Sequence, residues 1–185
     1  MTCLDKSLVL KGELTERLKV LGLPDGKDCL VVSIDQQKLW HFNQNVYEVY
    51  TISTARAGQG CVKDSLQTPT GLHHVAEKIG AGAPAGMIFK ARKATGQIWN
   101  EIPTTEDNLI TSRILWLEGL EMGMNRGTNS TGKIVDTKER FIYIHGTNQH
   151  EKLGTPNSHG CVLLSDKDII KLFETISVGT YVYLS

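Results

Sequence analysis

The chain has 185 residues, of which 40% are hydrophobic and 22% are charged, and its 20 basic residues equal its 20 acidic residues in number. This is the balance of a globular protein, so we expect a single domain over residues 1–185 rather than a disordered chain. A net charge of zero removes the long-range attraction that nucleic-acid or anionic-membrane binding normally requires, so neither partner is expected.

The N-terminal segment lacks the pattern of an export signal. Asp5 and Lys6 interrupt the apolar residues at once. A secretory signal needs an apolar run of at least ~7 residues, and a membrane span needs about 18. If the chain is complete, we therefore expect a cytoplasmic location.

The first predicted element is a helix within residues 1–26. Leu14, Leu18 and Leu21 recur at positions i, i+4 and i+7, which places them on one helix face. A Pro-Asp-Gly turn then ends the helix. Apolar, β-branched and aromatic runs predict strands at 29–34, 38–42, 46–53, 114–120, 140–146 and 181–184, with polar turns at 35–37 and 43–45.

Residues 54–113 carry repeated glycine and proline signals and are predicted to be a long loop. Within them, residues 80–86 form a glycine-rich stretch. It does not match the dinucleotide fingerprint G-x-G-x-x-G, because Ala85 stands at the third glycine and no βαβ unit surrounds it. No cofactor is therefore expected. A connection of this length exceeds ordinary loops and indicates a functional loop or lid.

The last helix is predicted to begin after Ser165. A serine side chain is a good N-cap, and Asp166 and Asp168 suit the positive end of the helix dipole. Gly179 is expected to stop this helix. The chain as a whole combines many strands with inserted loops and two or three short helices, without regular βαβ alternation, so we predict a mostly β fold.

The four cysteines form no Cys-x-x-Cys pair, and Cys161 has distinctive neighbours. It lies in the segment 145–166, which concentrates three of the six histidines. A cysteine nucleophile needs a depressed pKa or an adjacent base, because the thiolate attacks. His145 closes a predicted strand and is a rigidly placed candidate base. Gly160 permits a tight turn beside the thiol, which can aim backbone N–H groups at an oxyanion.

Two other interpretations of this segment stay open from the pattern alone. A buried cysteine is commonly inert, and a lone histidine is commonly a packing residue. A metal site is the second alternative, but the spacing matches no common ligand pattern and no metal is expected. Its donors would be His145, His150, His159 and Cys161.

The segment IHGT followed by SHGC resembles the L,D-transpeptidase (YkuD-type) catalytic domain family, whose hallmark is an HG pair with [S/T]HGC downstream. The TPTG motif at 68–71 and the strand pair in VVSIDQQKLWHF match as well. The resemblance runs from about Cys29 to the C-terminus. It implies a β-sandwich-like core at 29–185, preceded by the helical segment at 1–26.

The resemblance implies acyl transfer through cysteine on peptidoglycan stem peptides. Cys161 would be the nucleophile and His145 the general base, with the Gly146 carbonyl orienting the imidazole. His159 and the backbone N–H groups of Gly160 and Cys161 would shape the oxyanion pocket. The bond attacked would join the L-centre of meso-diaminopimelate to a terminal D-alanine, and the acyl group would be held as a thioester.

One position departs from the family pattern. Family members commonly carry arginine two residues after the cysteine, where this chain has Leu163. A substrate carboxylate would then need another partner. The candidates for substrate binding are Ser158 and Thr147 within the motifs and the cations Arg56, Arg126 and Lys133.

The implied acyl-enzyme could pass its acyl group to water or to an amine. Water makes the protein an L,D-carboxypeptidase that trims a tetrapeptide muropeptide to a tripeptide. An amine makes it a transpeptidase that cross-links stems or exchanges D-amino acids. Because cross-linking happens outside the cytoplasmic membrane, the expected cytoplasmic location favours the carboxypeptidase. A domain that binds muropeptide without cleaving it is the third alternative, and the sequence identifies no protein partner.

Overall fold

The computed structural model describes residues 3–26, 28–43, 47–103 and 105–185. In these ranges the chain forms ten strands and two α-helices, which confirms the mostly β fold. The strands are β1 Cys29–Ser33, β2 Lys38–Phe42, β3 Tyr47–Thr51, β4 Gly71–Ile79, β5 Met87–Lys90, β6 Lys93–Ile98, β7 Ile110–Gly119, β8 Tyr143–Gly146, β9 Val162–Leu164 and β10 Tyr181–Leu184. The helices are α1 Cys3–Val20 and α2 Asp166–Thr175, with 3-10 turns at Trp99–Glu101 and His150–Lys152.

The ten strands form one sheet that curves back on itself. From one edge the order is β3-β2-β1-β10-β4-β7. The long strand β7 also pairs with β5 and β8, and β9 lies parallel to β8. A bridge between Ser53 and Leu163 joins the segment after β3 to β9. The strand path therefore returns towards its start and encloses an apolar interior.

The main core lies inside this curved sheet. Leu30 and Val32 of β1 and Ile144 of β8 are fully buried there. Ile169 and Leu172 of α2 belong to the same cluster, so α2 closes the core. Successive residues of a strand alternate between its two faces. Because Ile144 points into the core, its neighbours Tyr143 and His145 point to the opposite face of β8.

Helix α1 covers the outer face of β1. Leu10, Leu14 and Leu18 are buried against Cys29 and Val31. Because α1 packs on one face of β1 and the core on the other, all residues of this strand are buried. Burial on both faces explains why β1 is an unbroken apolar run rather than an alternating pattern.

The helices end earlier than their sequence signals suggested. Leu21 lies beyond the end of α1 and is 39% exposed, so it does not extend the buried helix face. Ser165 is confirmed as the N-cap of α2, accepting the Asp168 N–H at 3.1 Å, but the helix ends at Thr175, before Gly179. No helix in the described part of the chain has the length and apolar character needed to cross a membrane.

The predicted strands are confirmed with small shifts at their ends. The predictions at 29–34, 38–42, 114–120, 140–146 and 181–184 correspond to β1, β2, β7, β8 and β10. The prediction at 46–53 corresponds to the shorter β3. Residues 44–46, which include part of the predicted turn at 43–45, lie outside the described residues.

The prediction of a long loop over residues 54–113 is wrong, because β4, β5 and β6 lie within this range. β4 is an interior strand that pairs with β10 on one side and β7 on the other. Its polar composition is compatible with burial because His73 has partners for both ring nitrogens. These are the Gly71 carbonyl and the Thr137 hydroxyl, each at 3.0 Å. The glycine-rich residues 80–86 connect β4 to β5.

Candidate active site

Cys161 lies immediately before β9, with its sulfur directed at the backbone leading into β8. The Tyr143 N–H donates to Sγ at 3.4 Å, and the thiol donates to the Phe141 carbonyl at 3.7 Å. Burial raises the pKa of Cys161 to about 11, although the Tyr143 N–H and the charge of Arg140 act in the opposite direction. The resting group at neutral pH is therefore a protonated thiol, which needs a base before it can attack.

His145 lies near the end of β8 and is buried. Its Nδ1 is 2.7 Å from the Gly146 carbonyl. A carbonyl can only accept, so Nδ1 carries the proton and Nε2 is left with a free lone pair. Burial lowers the pKa of His145 to about 4, with the Gly146 hydrogen bond acting in the opposite direction. The imidazole is therefore neutral at pH 7 and able to accept a proton.

The thiol and the imidazole line the same small cavity, which we call the thiol cavity. Its volume is about 160 Å³. No hydrogen bond joins His145 Nε2 to Cys161 Sγ in the described part of the chain, since the thiol is bonded to Phe141. Proton transfer therefore requires the thiol to leave that carbonyl, and catalytic hydrogen bonds are often loose in unliganded sites. The other lining residues are Asn108, Ile110, Ser158, His159 and Leu163.

The turn that carries Cys161 is braced by two hydroxyls. Ser158 Oγ accepts the Gly160 N–H at 3.1 Å and donates to the Cys161 carbonyl at 2.6 Å. Thr68, from the TPTG motif, donates to the Gly160 carbonyl at 3.0 Å and accepts the Ala55 N–H at 3.0 Å. These bonds hold the backbone of Gly160 and Cys161 in place.

Gly160 has to be glycine for two reasons. Its φ of +134° lies in a region that side chains rarely adopt. A Cβ there would also lie 2.9 Å from Ile142 Cδ1 and 3.3 Å from the Gln67 carbonyl oxygen. The glycine thus lets the turn pack directly onto the TPTG loop.

The expected oxyanion donors differ in availability. The Gly160 N–H is already taken by the Ser158 hydroxyl, so the expectation that it faces an oxyanion is not met. The Cys161 N–H makes no hydrogen bond to any residue that the structure describes. His159 has an exposed side chain at the rim, where it lines the thiol cavity and a neighbouring one.

Four of the five predicted substrate-binding residues lie outside the thiol cavity: Lys133, and three residues whose polar groups have the following partners. Thr147 is buried, and its hydroxyl donates to Asn108 Oδ1 at 3.0 Å. Arg56 donates to Asn157 Oδ1 at 2.5 Å, and Arg126 pairs with a carboxylate at the far end of β7. Their polar groups therefore already have partners within the protein. Ser158 does line the cavity, but its hydroxyl is engaged in bracing the turn.

The alternative of a metal site finds no support in the geometry. No group of three or more His, Cys, Asp or Glu side chains within the described ranges is arranged to hold a metal ion. His150, one of the four potential donors, instead packs edge-on against Trp99 and lies 3.3 Å from Asp166.

Arg140 is a cation of this region that no sequence pattern marked. Its guanidinium donates to the Gly60 carbonyl at 3.2 Å and to the Gln67 carbonyl at 2.6 Å. With His159 it lines a second cavity of about 200 Å³, which we call the arginine cavity. Its partners lie 73 and 80 residues away in the chain, so no local motif or periodicity could have identified it.

The sequence matches one known catalytic domain over most of its length. A family model for the L,D-transpeptidase catalytic domain, YkuD, matches residues 27–184. YqjB of Bacillus subtilis is 41% identical over 49 residues, which are 26% of this chain and 28% of YqjB. YkuD of the same organism is 28% identical over 139 residues, which cover 70% of this chain and 76% of that protein. Both carry L,D-transpeptidase names.

A solved structure shares the fold. L,D-transpeptidase 3 from Mycobacterium tuberculosis, in complex with a faropenem-derived adduct, superposes with a TM-score of 0.53 at 17% identity. The match covers 88% of this chain and 62% of that chain. The chain thus spans less than two thirds of YqjB and of the mycobacterial protein. At this identity the likeness concerns the fold alone.

Proposed function

The chain belongs to the L,D-transpeptidase catalytic domain family, whose members are cysteine-dependent acyl-transferring enzymes, and we propose that it acts as an L,D-carboxypeptidase. The substrate would be a peptidoglycan tetrapeptide that ends in meso-diaminopimelate and D-alanine, and residues 1–185 would act as one catalytic domain. The observation that carries this proposal is the thiol cavity, because the neutral imidazole of His145 and the thiol of Cys161 both line it.

Acylation begins with proton transfer. His145 Nε2 takes the thiol proton as Cys161 Sγ attacks the carbonyl carbon of diaminopimelate. The resulting oxyanion is stabilised by the free Cys161 N–H. His145 then returns the proton to the D-alanine nitrogen, the C–N bond breaks, and a thioester remains. The Gly146 carbonyl keeps Nδ1 protonated throughout, which is the orienting role that a carboxylate has in other triads.

Deacylation uses the same base. His145 removes a proton from water, the hydroxide attacks the thioester, and the tripeptide leaves as Cys161 regains its proton. Water is the acceptor that a cytoplasmic location would favour, because cross-linking happens outside the cytoplasmic membrane.

Transpeptidation is the alternative, and the names of the relatives favour it. The acyl-enzyme is the same in both reactions, so the products decide between them. Incubation with a tetrapeptide muropeptide, followed by mass spectrometry, should show loss of one D-alanine without dimers. Abundant dimers, or incorporation of an added D-amino acid, would reject hydrolysis as the main activity.

Substitution of the thiol separates catalysis from simple binding of muropeptide. Cys161→Ala should abolish D-alanine release and retain the folded state by circular dichroism. Cys61→Ala is the matched control because, among the described residues, the Cys61 thiol hydrogen-bonds to Thr70 and not to any residue of the thiol cavity. Acylation of the wild type by a carbapenem, located by peptide mass mapping, should fall on Cys161. A label on Cys61 would overturn the nucleophile assignment.

The cytoplasmic location stays a prediction that bears on the acceptor. Fractionation of cells that express the tagged natural protein would test it directly. Recovery with a cytoplasmic marker would agree with trimming of recycled or precursor muropeptides. Recovery outside the cytoplasmic membrane would favour cross-linking instead.

A further inference from the structure

Arg140 presents a half-buried positive charge that forms no ion pair with a carboxylate among the residues that the structure describes. Its guanidinium bonds to two backbone carbonyls, those of Gly60 and Gln67, and weakly to Ser65 Oγ at 3.5 Å. These contacts fix the planar group, and Asp64 offsets its charge only at longer range, without an ion pair in the described ranges. Charged side chains with substantial burial are normally paired, so an unpaired one at a cavity wall points to an anionic ligand.

The other charges around the arginine cavity do not neutralise Arg140. Lys63 and Glu139 pair with each other at 2.5 Å. Asp64 also lines this cavity, but no ion pair joins it to Arg140 in the described ranges. His159, at the boundary with the thiol cavity, completes the set of titratable groups. An anion entering here would therefore meet Arg140 as its unpaired cation.

The arginine cavity lies beside the reacting sulfur. Arg140 directly precedes Phe141, whose carbonyl accepts the hydrogen bond from the Cys161 thiol. The guanidinium is also close enough to influence the ionisation of Cys161 electrostatically. His159 lines both cavities, so a peptide that passes across the thiol can reach from one cavity into the other.

We propose that Arg140 binds the C-terminal carboxylate of the residue that leaves when Cys161 is acylated. This inference rests on the proposed function and adds the residue that selects a free chain end. The Nε–H and one Nη1–H of Arg140 make no hydrogen bond to a described residue, so either one can donate to a carboxylate oxygen. A substrate that continued beyond the D-residue would place an uncharged amide against the unpaired guanidinium.

The test compares a tetrapeptide ending in a free D-alanine carboxylate with the same peptide ending in D-alaninamide. The measurement is kcat/KM for release of D-alanine or D-alaninamide, a step that hydrolysis and transpeptidation share. A hydrogen bond to a charged group is worth about 1.5–3 kcal/mol, so the wild type should prefer the acid by roughly 10- to 150-fold. Arg140→Gln should reduce this preference to near one by slowing the acid and sparing the amide.

The amide substrate also controls for folding, because it reports on an intact site without the carboxylate. Arg140→Lys keeps the charge without the planar fork and should show an intermediate preference. Arg126→Gln is the matched control at an exposed arginine and should behave as wild type. Equal losses on both substrates in Arg140→Gln would make Arg140 a brace of the loop and overturn the inference. Absence of any D-alanine release by the wild type would instead reject the proposed function.

Discussion

Replacement of Thr68 by valine tests whether the TPTG loop holds Cys161, the proposed nucleophile, in place. The Thr68 side chain is fully buried. Its hydroxyl accepts the Ala55 N–H and donates to the Gly160 carbonyl, both at 3.0 Å. Valine keeps nearly the same shape but leaves these two backbone groups buried without a partner.

The expected loss of stability follows from those two groups. An unsatisfied buried donor or acceptor costs about 1–3 kcal/mol, so Thr68→Val should lower the free energy of unfolding by ~3 kcal/mol. That is a large part of the 5–15 kcal/mol typical of a folded protein. Thr68→Ser keeps the hydroxyl and removes one methyl group, so it should lower the free energy of unfolding by only ~1 kcal/mol.

Activity should fall further than stability alone explains. Release of the Gly160 carbonyl allows the turn to shift, and Cys161 follows directly in the chain. A displacement of the nucleophile by about 1 Å can cost on the order of 100-fold in rate, so kcat/KM of Thr68→Val should fall by about that factor. Thr68→Ser should retain activity close to that of the wild type.

Two assays decide the outcome. Urea unfolding followed by tryptophan fluorescence gives the free energy difference, and release of D-alanine, measured where each variant is fully folded, gives kcat/KM. Equal behaviour of Thr68→Val and Thr68→Ser in both assays would refute the reasoning, because the hydroxyl is what distinguishes them. A stability loss without a rate loss would confine Thr68 to a structural role.

Three further outcomes are expected. Because burial lowers the pKa of His145 to about 4, kcat/KM should decrease at acid pH with an apparent pKa well below 6.5. An apparent pKa of 6.5 in this pH profile would contradict a buried neutral base. Burial also lowers the pKa of His73 to about 4. The unfolded chain therefore binds a proton below pH 6.5 that the folded chain does not, and stability should drop by up to ~3 kcal/mol for this group as the pH falls from 6.5 to 4. His145 contributes in the same way, so His73→Gln should reduce the slope in urea titrations at each pH by about half, and an unchanged slope would exclude His73 as a source. Ser165→Ala should lower the free energy of unfolding by ~1 kcal/mol through loss of the α2 cap, whereas Ser165→Asp should not.

Patterns within a few residues predicted much of the fold. The spacing of Leu14 and Leu18 identified the buried face of α1, and the serine before α2 identified its first turn. Apolar runs located β1, β2 and β10. These features depend on periodicity and capping, which neighbouring residues determine by themselves.

The strands between residues 54 and 113 could not be predicted in the same way. β4 contains two histidines, a glutamate and a lysine, and becomes an interior strand only because β10 and β7 pair with it. His73 is tolerated in its buried position because Thr137, 64 residues away, supplies a partner. Composition alone therefore indicated a loop where long-range pairing produces a sheet.

The sequence by itself predicted the candidate reactive groups: a thiol at Cys161, an imidazole at His145 and a tight turn at Gly160 beside the thiol. Tertiary structure alone decided which polar groups at the site are free to act. The Ser158 hydroxyl accepts the Gly160 N–H, whereas Arg140 forms no ion pair with a carboxylate in the described part of the chain. The physical reason is that hydrogen bonds and burial set the availability of each group. At this site, two hydrogen-bonded residues, Thr68 and Gly160, lie 92 residues apart in the chain.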